Sequence, residues 1–151
     1  MADRQYPYTT NENYLEYEFF SEGPRGSIKK LVQYKGIIIG NERYYNLSFG
    51  DWDEERGMLD DLAKSSNQDT EKVLATVAST VIDFTNRYPD KTIFLVGSTV
   101  SRTRRYQMGI NKYWDEIKPL FEVYGLIGSE GFYPFESGVN YFAFLVIRKK
   151  E

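Results

Sequence analysis

Two short runs, TIFLV (92–96) and YFAFLVIRK (141–149), are apolar on both of their alternating faces, the second as far as Arg148. Successive side chains of a strand point to opposite sides of its sheet. A strand that is apolar on both sides must be covered on both, so each run predicts a central strand. The rest of the chain must supply that cover. Val73, Val77, Val81, Phe84 and Tyr88 form a stripe at helical spacing, which predicts a helix within 65–90. Asn67 or Asp69 stands where a cap belongs, and Pro89-Asp90 stops the helix. Tyr106, Ile110, Tyr113, Trp114, Ile117 and Phe121 predict a second helix, ended or kinked at Pro119.

The first third reads as an antiparallel meander. YLEYEFF (14–20) and SIKKLVQYKGIII (27–39) are extended runs around an EGPRG turn at 22–26. Gly40-Asn41 is a two-residue hairpin turn, and ERYYNLSF (42–49) then alternates. Tyr45, Leu47 and Phe49 face one way; Tyr44, Asn46 and Ser48 face the other. FEVYGLIG (121–128) predicts another strand, and SEGFYPFESG (129–138) an aromatic loop. The expected fold is α+β: a largely antiparallel sheet of about six strands with two helices, in the order βββ-α-β-α-ββ. Residues 1–13 are expected to be loose, and 14–151 to form a single domain. Two helices leave one sheet face to be covered, for which a homodimer is one solution.

Composition narrows the chemistry. The 151 residues contain no histidine and no cysteine. Ser-His-Asp and Cys-His catalysis, thiolate chemistry and His- or Cys-ligated metals are therefore excluded. A net charge of −3 argues against a general nucleic-acid coat, so nucleic acid is not the expected partner. The N-terminal residues carry no signal-like apolar core, and no run reaches membrane-span length. A soluble, cytoplasmic protein with no membrane partner is expected.

The stretch GSTVSRTRRYQMGI (97–110) carries the strongest functional signal. It places Arg102, Arg104 and Arg105 at the start of a helix, where the macrodipole disfavours cations. Negative company would relieve that cost. A strand ending in Gly97-Ser98-Thr99 and opening a helix offers backbone N–H groups and two hydroxyls, and arginine forks suit phosphate or carboxylate. On a helical wheel Arg102 falls at the edge of the apolar face, Arg104 points to solvent and Arg105 sits on a flank. Thr103 turns inward, so its hydroxyl needs a partner. The candidate anion site is Gly97, Ser98, Thr99, Arg102, Thr103 and Arg104, with Tyr106, Asp51 and Asn46 as pocket candidates.

The competing reading is internal. Asp51, Asp53, Glu54, Glu55, Asp60 and Asp61 lie in one acidic connection with a single base, Arg56. Arg102 and Arg104 would clamp Asp51 or Asp60 and Asp61. Asp51, Asp53, Asp60 and Asp61 offer an oxygen cage for Mg²⁺ as a minor alternative, but they lack the spacing of a calcium loop, and 97–104 lacks the pattern of a Walker loop, so no metal and no cofactor are expected. GFYPF (131–135) is a further stacking candidate.

YNLSFGD (45–51), VLATVASTVIDF (73–84), YPD (88–90), GSTVSRTRRYQMGI (97–110) and NYFAFLVIRK (140–149) resemble the signature blocks of a bacterial family of unknown function. That family occurs mostly in Bacteroidetes and carries a G-S-T-x-x-R-T-R-x-Y motif. The resemblance covers nearly the whole chain. Arg105 stands where the family usually has an apolar residue, which favours Arg102 and Arg104 as functional groups. SSNQD (65–69) resembles the family's helix start. The resemblance implies no mechanism.

Three functions remain. The first, favoured because nothing in the spacing brings catalytic carboxylates together, is a non-catalytic binding or accessory module for a small anionic or phosphorylated ligand. The second is an enzyme on a phosphorylated substrate, using Arg102 and Arg104 with a carboxylate from 51–61. The third is a structural or protein-interaction domain whose arginines only hold the fold.

Overall fold

The computed structural model describes residues 4–60, 67–129 and 131–150. Nine strands and three helices appear among them. In chain order they are β1 (Thr9–Thr10), β2 (Glu16–Gly23), β3 (Gly26–Ile39), β4 (Glu42–Asp53), β5 (Met58–Asp60), α1 (Thr70–Arg87), β6 (Ile93–Leu95), α2 (Val100–Lys112), α3 (Trp114–Ile117), β7 (Phe121–Leu126), β8 (Phe132–Pro134) and β9 (Phe144–Arg148). The sheet is mixed, with hydrogen-bonding order β1-β2-β3-β4-β6-β9-β7-β8 and β5 on β4. The α+β class stands. Strands exceed the expected six because β1, β5 and β8, of two or three residues each, are too short to show a period. The β4–β6 pair is parallel, since α1 intervenes between them, so the order is not a plain βββ-α-β-α-ββ. As expected from their two apolar faces, β6 and β9 each have a neighbour on both sides.

The chain falls into two compact units: residues 1–34 with 48–87, and residues 35–47 with 88–151. In the first unit β2 alternates cleanly, burying Tyr17, Phe19 and Ser21. The ring of Phe84 on α1 stacks on Tyr34 of β3, centroids 4.1 Å apart and planes 4° from parallel. Tyr17 meets Tyr34 edge-on and donates its hydroxyl to Asp83 at 2.7 Å. Burial, reinforced by Asp83, pushes the Tyr17 hydroxyl well above the usual phenol range; burial does the same to Tyr34. Both therefore stay protonated and serve as fixed hydrogen-bonding groups. α1 is rich in β-branched residues, which form helices poorly on their own. Packing supplies what propensity lacks. Thr76, Thr80 and Thr85 are buried and return their hydroxyls to carbonyls of their own helix. The helix ends at Arg87, two residues before Pro89, as the sequence expects.

Segment 4–13 is held down where a loose end was expected. Tyr6 is 5% exposed, its N–H donates to Thr76 Oγ1 at 2.8 Å, and β1 pairs with β2. The Tyr6 hydroxyl and the Ser21 hydroxyl both donate to the Asp69 carboxylate. Asn67 bonds Ser21, the Gly26 carbonyl and the Arg25 N–H, fastening the β2–β3 turn to the start of α1. The side chains of the two residues expected as cap candidates thus bond to the β2–β3 region and to Tyr6. Residues 65 and 66 of the SSNQD stretch lie outside the described residues.

In the second unit, Leu47, Ile93, Val123, Ala143 and Phe144 form the centre of the core. α2 buries Thr103, Gln107 and Ile110. The stripe expected to run on through Phe121 is broken at Tyr113, beyond which lie the short α3 and then β7. Gln107 is a buried polar residue on the core face because its amide bonds the Val139 carbonyl and the Tyr141 N–H. Among the described residues no helix is long and apolar enough to cross a membrane.

Candidate functional site

The strand-to-helix turn after β6 is built largely from its own hydrogen bonds. Thr99 is the N-cap of α2, its hydroxyl accepting from the Arg102 N–H at 3.2 Å. Thr103 is 4% exposed; its hydroxyl donates to the Thr99 carbonyl at 3.2 Å and accepts from the Gly97 N–H at 2.9 Å. The partner that Thr103 needs is therefore inside the turn. The amide of Gly97, expected to face an anion, is engaged there too. Gly97 is close-packed: a Cβ at this position would lie 2.5 Å from Thr103 N and 2.8 Å from the Arg102 carbonyl carbon. These are backbone atoms and have nowhere to go. Gly97→Ala is expected to cost about 1–3 kcal/mol, read as a lower denaturation midpoint. An unchanged midpoint would show that the turn is looser than its hydrogen bonds imply.

The arginines separate by exposure. Arg102 is half-buried and already has an interaction partner. Arg104 and Arg105 are exposed, and among the described residues neither makes an ion pair. An exposed position tolerates any polar side chain, which accounts for a charge at 105 where the resemblance has an apolar residue. α2 carries Arg102, Arg104, Arg105 and Lys112 and no acidic residue. Its outer face continues through Val100 and Met108, 71% and 68% exposed. Ser98 is exposed at the same end, and Tyr106 is half-buried with a partner of its own.

The pocket candidates go elsewhere. Asn46 is half-buried in β4, opposite Phe94 of β6. Asp51 lies in the first unit, where its carboxylate forms a short ion pair with Lys30. The acidic connection is partly a hairpin: β4 extends to Asp53 and pairs with β5, setting Asp51 opposite Asp60. Asp53 accepts from the N–H groups of Glu55 and Arg56 and pairs with the Arg56 side chain. Asp61 lies outside the described residues. Among the described residues no three carboxylates converge as a metal site would require. GFYPF, expected as part of a loop, supplies strand β8 (Phe132–Pro134) on β7; Phe132 packs edge-on against Phe94, Phe135 is buried and Tyr133 is 45% exposed.

Sequence reasoning passed over a hollow of about 290 Å³ lined by Asn111, Lys112, Trp114, Asp115, Phe135 and Ser137. The aromatic loop was its one visible sign.

The fold and this site define an α+β protein with a basic helix face and an internally bonded helix start. The chain belongs to a family of unknown function, DUF6934, whose pattern covers residues 2–149. No curated protein and no solved structure matches it.

Proposed function

We infer that the protein is a non-catalytic binding module that holds a small anionic or phosphorylated ligand against the outer face of α2. The observation that carries this reading is the exposed Arg104 on a helix with four cations and no acid, with Arg105 exposed on its flank. Each planar fork suits the oxygens of a phosphate or carboxylate, and the two project about 100° apart around the helix. The Arg102 side chain contributes charge from a half-buried position. Because the turn before the helix is closed by its own bonds, it serves as a rigid base for these side chains.

The test is thermal stabilisation by inorganic phosphate or pyrophosphate, read against sodium chloride of equal ionic strength. The wild-type melting temperature is expected to rise with the phosphate. Arg104→Ala with Arg105→Ala is expected to abolish that rise. Without ligand the double variant should stay within about 0.5 kcal/mol of wild type, since both side chains are exposed. A large unliganded loss of melting temperature, with no phosphate effect in either protein, would establish the structural reading instead. That alternative draws support from the internal partners of Gly97, Thr103 and Arg102.

A further inference from the structure

We propose that the hollow at the end of α2 is a saccharide site, taking one pyranose ring against Trp114, which Phe135 backs. It is independent of the arginine reading and stands on four features of the second unit.

The first is an aromatic floor. Trp114 and Phe135 have ring centroids 5.0 Å apart and planes 40° from parallel. Rings this close leave no slot between them, so a ligand ring lies across the part of Trp114 that stays exposed, an apolar platform that suits the C–H face of a puckered ring. The second is the rim. Four of the six lining residues are polar: an amide (Asn111), an ammonium (Lys112), a carboxylate (Asp115) and a hydroxyl (Ser137). They offer donors and acceptors together, the Asp115 carboxylate already paired with Lys118 at 3.5 Å. A sugar hydroxyl both donates and accepts. An aliphatic ligand would make no use of these donors and acceptors.

The third feature is size. At about 290 Å³ the hollow sits at the small end of the range for ligand clefts, about 300–1,000 Å³. That is room for one ring and not for a dinucleotide cofactor.

The fourth is rigidity. Phe135 is 8% exposed and packs on Tyr141 and Phe144, at 5.5 and 6.2 Å. Its N–H donates to the Val123 carbonyl at 2.9 Å. The next N–H, of Glu136, donates to the Tyr141 hydroxyl at 2.8 Å. Gln107 holds Val139 and Tyr141 from the helix side. The floor is thus set before any ligand arrives, which spares the ordering cost of binding.

The chain has two tryptophans, so Trp52→Phe leaves Trp114 as the sole indole reporter. That variant would be titrated with the methyl glycosides of glucose, galactose, mannose and N-acetylglucosamine, with tryptophan fluorescence as the readout. At least one glycoside is expected to give a saturable change with a millimolar dissociation constant. Asn111 is exposed, so Asn111→Ala should fold normally while weakening that glycoside about fivefold, the worth of one lost hydrogen bond. Trp114→Ala, followed by ligand-observed NMR, should remove binding. Adenosine and phenol serve as flat-ring controls. Saturable binding of a control without any glycoside, or no saturable change with any compound, overturns the proposal. So does glycoside binding that survives both Asn111→Ala and Trp114→Ala undiminished. None of these outcomes bears on the phosphate assay, which reads a different set of side chains.

Discussion

Phe84→Ala is expected to cost about 3–5 kcal/mol, the range for deleting a fully buried ring. Phe84 is 0% exposed and lies flat on Tyr34, itself 2% exposed. The ring it would leave behind cannot follow it into the gap. The Tyr34 hydroxyl shares a 2.9 Å hydrogen bond with Thr80, and its edge is held by Tyr17. Closing the cavity would break that bond or tilt the Tyr17 ring away from Asp83. The cavity therefore stays largely open, and the cost falls toward the top of the range. Phe84→Leu, which keeps most of the volume, should lose far less. Urea titration of both variants checks this. A loss below about 1 kcal/mol for the alanine variant would mean that the helix slides to refill the gap and that the Tyr34 bond is dispensable.

Lys30→Met is expected to cost a similar amount, about 3–5 kcal/mol, for an electrostatic reason. The Lys30 side chain is 8% exposed and that of Asp51 is 18% exposed, so each has given up most of its hydration for the other. Removing the ammonium leaves a shielded carboxylate without a counter-charge. It also leaves Asp51 directly across the hairpin from Asp60, and like charges at facing positions repel. Methionine keeps the stem volume, so lost packing is a minor part of the effect. Lys30→Met combined with Asp51→Leu removes both charges and should recover most of the loss. A double variant as unstable as the single one would show that Asp51 is not what Lys30 holds.

The sequence carried the fold where pattern is dense. The doubly apolar faces of TIFLV and YFAFLVIRK placed two strands inside the sheet, and Gly40-Asn41 marked the hairpin between β3 and β4, with Gly40 at φ 65°. The exposure of Arg104 and the inward turn of Thr103 followed from the helical wheel. Other features depend on partners distant in the chain. Gln107 reads as a surface residue until Val139 and Tyr141 are known to lie beside it. Tyr6 looks loose until Thr76 and Asp69 come to meet it, more than 60 residues on. The Trp114–Phe135 hollow joins 111–115 to 135–137, and no local period links them. The arginine turn was legible as a place, but not its internal bonding, because nothing in the spelling of GST told that Thr103 would take the Gly97 amide.

The interleaving of the two units has a consequence for biosynthesis. Every residue of the first unit has left the ribosome once Arg87 emerges, so that unit can close early. Residues 35–47 belong to the second unit and must wait for β6 and β9. In that interval the hairpin carrying Ile37, Ile38 and Ile39 can form, but its strand edge at Tyr45–Leu47 lacks its β6 mate. A nascent chain stalled there presents a sticky ribbon to its surroundings.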